Sequence, residues 1–336
     1  YVCSKVHICD TTEKDLVSNQ HSSRMHFTDY VNRFKKFYSQ EEFNLRHEIF
    51  DENMFSIMNH NLGYDLGEHS YYMSTGPFTD WTLQDFREYL TLHTKSQSMD
   101  LGSMFFGGTK CTDYVASEPT YPSSVDLRNE NMVTSVKDQG QCGSCWSFSA
   151  TGAMEGAWSI SNNELISLSE QQLVDCSSSY GNHGCHGGLM DGAFEYVMDN
   201  GICSEEEYGY VAKKGNCEQC TTVVELTGCS DVQPNNEMVL KNAVHGTPVS
   251  VAIEADTREF QLYKSGVITG DSCGTNLDHG VLIVGYGEDN GVKYWLVKNS
   301  WSTSWGDNGY VKIERTDSTS TPGVCGIASQ PSFPIV

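Results

Sequence analysis

Nowhere do apolar residues run to the ~18 in succession that a membrane-crossing helix needs. The chain starts at Tyr1 with no initiator Met and no apolar signal core, so it reads as one whose targeting peptide was removed or not included. It has no Asn-x-Ser/Thr sequon, and sorting through N-glycans finds no support. Basic residues are scarce: 21 Lys and Arg stand against 44 Asp and Glu, a formal net charge of −23. The stretches on either side of Thr120 are both acidic, which argues against nucleic acid as a partner. A solvated acidic surface that keeps the protein soluble accounts for this charge. It is also compatible with an acidic compartment, where carboxylates are partly protonated and repel one another less. No internal repeat or low-complexity tract is visible. The two C-x-x-C units, Cys142 to Cys145 and Cys217 to Cys220, lack zinc-finger spacing and a following His-x₃₋₅-His. No metal and no cofactor are expected.

Cysteine itself is plentiful, with 13 residues in 336. Without metal motifs, disulfides in an oxidising, secretory-route compartment are the better account. The length suits about two domains. The most informative run is Gln139-Gly140-Gln141-Cys142-Gly143-Ser144-Cys145-Trp146. It sets Cys145 at the start of a helix-like stretch. A thiol there feels the positive end of the helix dipole and unpaired N–H groups, and both favour thiolate. A thiol also needs a base, and the base needs an orienter. Leu277-Asp278-His279-Gly280 places a His at the head of a strand-like run 134 residues later, and Asn299-Ser300-Trp301 follows 20 residues on.

The Cys-Gly-Ser-Cys-Trp run resembles the active-site loop of the papain-like cysteine proteases. The resemblance implies Cys145 as nucleophile, His279 as base and Asn299 as its orienter. It also implies Trp301 as a cover over the His–Asn bond and Gln139 as an oxyanion donor beside the Cys145 N–H. Upstream, Glu42, Arg46, Ile49, Phe50, Asn53, Ile57 and Asn61 recur at spacings of three and four, one helical stripe that mixes polar and apolar residues. It resembles the ERFNIN helix of cathepsin L-like propeptides. Phe78-Thr79-Asp80 resembles the end of their G-x-N-x-F-x-D motif, with Ser74 and Gly76 at the Gly and Asn positions.

The implied organisation is an inhibitory propeptide over 1–120, with its ERFNIN helix at 42–61 and an extended linker at 95–120, then a mature peptidase domain over 121–336. Leu127 stands where the family carries Trp, and Ser302 where it carries Gly. Helix-like runs at Ser144–Ser159, Ser169–Val174 and Gly188–Asn200 precede strand-like runs at Val249–Glu254, His279–Gly287, Tyr294–Asn299 and Gly309–Glu314. That order suggests α+β with two lobes. The family fold would supply a helical left lobe and a β-barrel-like right lobe.

The same resemblance assigns bridges Cys142–Cys185, Cys176–Cys217 and Cys273–Cys325. It leaves Cys3, Cys9, Cys111, Cys203, Cys220 and Cys229, among which Cys3–Cys9 and Cys220–Cys229 are candidate pairs. Gly187 and Gly188 match the loop whose backbone pairs with substrate. Leu189, Met190, Ala252, Leu277 and Gln330 map onto the main specificity pocket, and Asp278 flanks it. Apolar walls imply a hydrophobic P2 residue. No occluding or blocking segment is found, so an endopeptidase is expected, made as a zymogen and activated in acid. The implied partners are protein and peptide substrates, the chain's own propeptide and cystatin-like inhibitors, and the protein is expected as a monomer in the lysosome or vacuole or outside the cell. The competing reading, a non-catalytic structural or binding relative, would typically lack the nucleophile that is present here.

Overall fold

The computed structural model describes residues 24–90, 110–116, 121–270 and 272–336. The prosegment has a helix over 24–33 (α1), then α2 (Gln40–Asp65), strand β1 (Tyr71–Met73) and α3 (Leu83–Tyr89). Two short strands follow, β2 (Thr112–Asp113) and β3 (Val125–Asp126). The left lobe is built on α4 (Cys145–Asn162), α5 (Glu170–Cys176) and α6 (Met190–Asn200), with a two-stranded sheet of β4 (Ile202–Cys203) and β5 (Thr222–Val224). The remaining elements are β6 (Gly228–Asp231), α7 (Glu237–Gly246), β7 (Val249–Ile253), α8 (Arg258–Gln261), β8 (Tyr263–Ile268), β9 (His279–Asp289), β10 (Val292–Lys298), β11 (Tyr310–Glu314) and β12 (Ser332–Ile335).

The main sheet runs β1-β8-β11-β10-β9-β7-β12-β6-β2, with β3 also pairing with β9. It stays open, with edges at β1 and β2, so the right lobe is barrel-like without closing. The helices and strands expected from sequence form, with ends shifted by a few residues. Helix α4 is buried from Cys145 through Ala157 and lies on the sheet. A Cβ on Gly152 would stand 2.7 Å from Leu282, and one on Gly156 2.5 Å from Pro248, so glycine sets how close helix and strand come.

The mixed stripe on α2 is explained by what it touches. Asn53 Nδ2 donates to the carbonyls of Thr79 (2.8 Å) and Trp81 (2.9 Å). Asn61 donates to the Met73 carbonyl and accepts from the Met73 N–H, both at 2.9 Å. Arg46 reaches the Asp80 carbonyl and the Asp85 carboxylate, with Glu42 3.7 Å away. Phe50 packs with Phe27 and Tyr30, and Ile57 joins the main core. The polar members therefore satisfy the backbone of residues 73–81, an irregular segment that could not otherwise be buried. Gly76 and Thr79 close the local turn, with the Gly76 N–H donating to Thr79 Oγ1 at 2.8 Å. Asp80 is fully buried and accepts from Lys36 Nζ (2.6 Å), Tyr30 (3.0 Å) and Tyr38.

Three implied bridges form: Cys142–Cys185, Cys176–Cys217 and Cys273–Cys325. The candidate Cys220–Cys229 does not. Cys220 pairs with Cys203 and Cys229 with Cys111, because β5 packs against β4 while β6 lies in the other sheet beside β2. Cys3 and Cys9 lie outside the described residues, as does most of the expected linker. Its described part, 110–116, carries β2.

Behind the cleft, Lys137 Nζ donates to Glu155 (2.9 Å), Glu170 (2.6 Å) and the Leu168 carbonyl (3.1 Å), and Lys298 Nζ donates to Thr134 (3.0 Å). Burial raises the Glu170 carboxyl, whereas Lys137 and Lys298 hold the Glu155 carboxyl low against the same burial. Lys137→Met, which leaves these carboxyls unmatched, is expected to cost about 3–5 kcal/mol, read by urea denaturation of an inactive proenzyme. A loss below about 1 kcal/mol would show that proton uptake replaces the ion pairs. In the prosegment, Asn53→Ala is expected to cost about 1–3 kcal/mol by orphaning the buried Thr79 carbonyl, the Trp81 carbonyl keeping its bond from Gln261, seen as an earlier melting transition.

Candidate active site

Cys145 opens α4, whose start has no side-chain cap. Its sulfur accepts from the Gly280 N–H at 3.3 Å, and it is the one free cysteine among the described residues. Gly280 is the second residue of β9. A Cβ there would lie 3.2 Å from the Trp146 backbone, a tight contact, so glycine eases the close approach of the strand to the helix start. His279, the first residue of β9, directly precedes the Gly280 N–H that bonds the thiol.

The imidazole is oriented unambiguously. His279 Nε2 lies 2.8 Å from Asn299 Oδ1, and the Ser300 N–H donates to that same Oδ1 at 2.8 Å. An atom that accepts from a backbone N–H is the amide oxygen, so Nε2 carries the proton and Nδ1 keeps a lone pair in the neutral ring. Nδ1 is buried and makes no hydrogen bond among the described residues. The Trp301 indole stacks on the ring with centroids 4.5 Å apart. Trp301 is covered in turn by Phe78, Phe86 and Tyr89 of the prosegment.

Sequence reasoning expects a thiolate and an imidazolium. In this closed proform, burial pushes the Cys145 thiol up to about 12, against the opposing N–H groups of Gly280 and Trp146. Burial also pushes His279 down to about 4, against its bond to Asn299. For both groups burial opposes the charged form.

Gln139 is buried, with its Nε2 donating to the Cys142 carbonyl (3.0 Å) and its Oε1 accepting from Ser300 Oγ (2.6 Å). One amide hydrogen remains free of those bonds. Tyr210 was not signalled by any sequence motif, yet its hydroxyl donates to the Gln139 carbonyl (2.8 Å) and lies 2.6 Å from Ser144 Oγ. Ser300 and Gly280 sit within the motifs that flag Asn299 and His279, although their own bonds were not foreseen.

Of the expected pocket residues, Met190, Ala252 and Leu277 share one apolar cluster with Cys145, and Leu189 packs against it. Gly187 has a positive φ of 100°. A Cβ on Gly188 would meet Trp146 at 2.7 Å. Asp278 is fastened by the Ala255 N–H at 2.8 Å, and burial lifts its carboxyl to about 7 despite that bond. Gln330 stands apart: it is exposed on the turn before β12 and does not join the apolar cluster. Ser302, in the position of the family's glycine, adopts φ 63° and accepts from the Ser304 N–H at 3.1 Å, an adjustment that keeps the Trp301 loop in place.

The model of the papain family cysteine protease matches residues 121–335, and that of the cathepsin propeptide inhibitor domain matches residues 27–86. A cathepsin L of Sarcophaga peregrina is 44% identical over 317 residues, covering 91% of each chain. A thiol protease of Hemerocallis sp. is 45% identical over 300 residues, covering 88% of this chain and 81% of its own. Digestive procathepsin L 3 of the Tenebrio molitor larval midgut superposes with a TM-score of 0.84 at 40% identity, covering 94% of this chain and 99% of its own. No helix among the described residues is long and apolar enough to cross a membrane. The chain belongs to the papain family of cysteine proteases and is a cathepsin L-like zymogen, with an inhibitory propeptide domain ahead of its peptidase domain.

Proposed function

We propose that Cys145 and His279 cleave peptide bonds as a thiolate–imidazolium pair once the prosegment has left. The observation that carries this is the fixed tautomer: Asn299 holds Nε2–H, leaving the Nδ1 lone pair as the proton acceptor. The Cys145 proton passes to Nδ1, and the sulfur attacks the scissile carbonyl. The oxyanion is held by the Gln139 amide and the Cys145 N–H. Collapse expels the amine, which takes the proton from the imidazolium and leaves an acyl-enzyme. Water, deprotonated by the imidazole, then releases the acid and restores the thiol. Re-solvation on opening the cleft lessens the burial that opposes the charged forms in the proform.

The cluster of Met190, Ala252 and Leu277 favours an apolar P2 side chain, whose burial is worth about 1.5–3 kcal/mol. The enzyme acts as an endopeptidase and as a monomer, on protein and peptide substrates, with cystatin-like proteins as candidate inhibitors. Five disulfides support a lysosomal, vacuolar or extracellular location. Acid activation is proposed to act through Asp80, the single carboxylate on which Lys36, Tyr30 and Tyr38 converge. Breaking these bonds releases Lys36 and loosens α1 from residues 76–81.

Three outcomes follow for purified proenzyme. Cys145→Ala is expected to abolish self-processing at every pH, and unaided maturation of that variant would refute autocatalysis. Gln139→Ala should lower kcat about 10²–10³-fold with KM little changed; a change confined to KM would remove Gln139 from the oxyanion site. Asp80→Asn should shift the processing profile toward neutral pH, whereas an unchanged profile would exclude Asp80 as the trigger.

Stability should also follow pH in a defined direction. Burial raises Asp278 to about 7 and Asp191 to about 6. The folded state therefore binds their protons more tightly than the unfolded chain. Their contribution is complete below the unfolded carboxylate range near pH 4 and is lost as pH rises through about 6 and 7. Melting temperature of the Cys145→Ala proenzyme should rise from pH 8 to pH 5, with a smaller rise in the form that also carries Asp278→Asn. An identical slope in both would show that Asp278 does not take up the proton.

A further inference from the structure

The segment 110–114 makes its described contacts with the peptidase domain alone. Strand β2 runs parallel to β6, with Thr112 opposite Ser230 and Asp113 opposite Asp231. The Tyr114 N–H continues the ladder to the Asp231 carbonyl at 2.8 Å. The Tyr114 hydroxyl donates to Asn242 Oδ1 on α7 at 2.7 Å, and its ring stands edge-on to Phe333 of β12 at 5.3 Å. At the other end, the Lys110 N–H donates to Glu195 Oε1 (2.8 Å), and its ammonium bonds the Asp199 carboxylate (2.6 and 2.7 Å) at the end of α6. Between these anchors, Cys111 is bonded to Cys229, 118 residues away and buried in β6.

All of this lies upstream of residue 121, where the match to the peptidase family begins, and so in the part that family resemblance would discard on maturation. We propose that residues 110–116 are not discarded: they remain on the mature peptidase as a disulfide-stapled edge strand, while the helical prosegment leaves. A cut on the N-terminal side of Cys111 would give one chain with an added first strand. A cut between Cys111 and Tyr121 would give a short peptide held on the enzyme by its bridge. In either case β2 continues to cover the backbone edge of β6, which would otherwise offer unpaired groups to another chain. Cys229 never becomes a second free thiol beside the nucleophile's domain.

The inference rests on the zymogen reading only for the fact of cleavage, so the test supplies the cut from outside. Proenzyme carrying Cys145→Ser is trimmed with pepsin in acid, where thiol–disulfide exchange is suppressed. The helical prosegment is then removed, and intact mass is measured before and after reduction, with iodoacetamide added first to mark free thiols. The expected product retains the Cys111 peptide without reductant and shows no alkylated Cys229. A product that lacks Cys111 before reduction, or that carries alkylated Cys229, would overturn the proposal. Wild-type protein matured by itself is run alongside. If it fails to mature while the pepsin product keeps the strand, the autocatalytic reading falls and the stapled strand stands. In Cys111→Ser protein, where the cut falls between residues 111 and 121, the peptide should leave the denatured product without reduction, and for either cut the trimmed domain should melt at a lower temperature. An equal melting temperature would show that the strand lends the domain no stability.

Discussion

The contact between the first residue of α4 and the first two residues of β9 is the constraint on which the rest of the molecule depends. It joins the lobes through a backbone N–H on a sulfur, 3.3 Å apart, and it leaves little room for a side chain at Gly280, whose Cβ would stand 3.2 Å from the Trp146 backbone. The neighbouring bonds hold the same register. Ser149 Oγ donates to the Val281 carbonyl at 2.7 Å, and Ser250 Oγ donates to the Ser149 carbonyl at 2.9 Å. Helix α4, β9 and β7 are therefore pinned by polar atoms inside an apolar interface, where a one-residue slip would orphan each of them. The Lys137 network behind α4 acts in the same sense, because Glu155 belongs to that helix and Lys298 directly precedes Asn299.

Inhibition then acquires a second meaning. Phe78, Phe86 and Tyr89 do more than stand near the cleft; they cover Trp301, which covers His279. A prosegment that excludes water from the imidazole disfavours its charged form, and the buried thiol beside it is disfavoured as thiolate. Burial thus works against charging of the nucleophile and its base in the closed proform, beside the barrier the prosegment raises. The helical prosegment can do this because its polar groups are answered, within by Asn53, Asn61 and Arg46 on backbone atoms and three donors on Asp80, and from the peptidase domain by Gln261 on the Phe78 and Trp81 carbonyls. It presents an aromatic face to the cleft, and at its edge Arg87 pairs with Asp256 of the peptidase domain at 3.4 Å.

How much of this was legible depended on the range of the signal. The catalytic motifs were readable because each is local and chemically distinctive, and the helices and strands because their periodicity is strong. The polar positions of α2 were readable as a pattern and opaque as physics, since Asn53 bonds to carbonyls of residues 79 and 81 that the pattern does not mention. Pairing Cys220 with Cys229 followed nearness along the chain. The fold instead puts them in different sheets and joins Cys229 to Cys111 across 118 residues. Tyr210 left no trace in the sequence because its role is one hydroxyl placed by a loop. Gln330 was carried over by resemblance, and its exposure reflects a turn whose course the flanking residues do not dictate.

The bridges also bear on catalysis through the nucleophile's need to be the lone thiol within reach. In an oxidising compartment a second free cysteine near the nucleophile would be joined to it as a disulfide by the oxidant present there. Cys142, three residues from Cys145, is the nearest such hazard, and it is tied to Cys185. That tie does more than remove a competitor. The Gly143 N–H donates to the Cys185 carbonyl at 3.0 Å, and the Cys142 carbonyl receives the Gln139 amide. The bridge therefore fixes the loop on which the proposed oxyanion donor leans. Oxidation of this chain is thus coupled to the shape of its active site: reducing Cys142–Cys185 would at once release a rival thiol and loosen the carbonyl that orients Gln139. A fold that depends on both effects suits a compartment where that bond, once made, stays made.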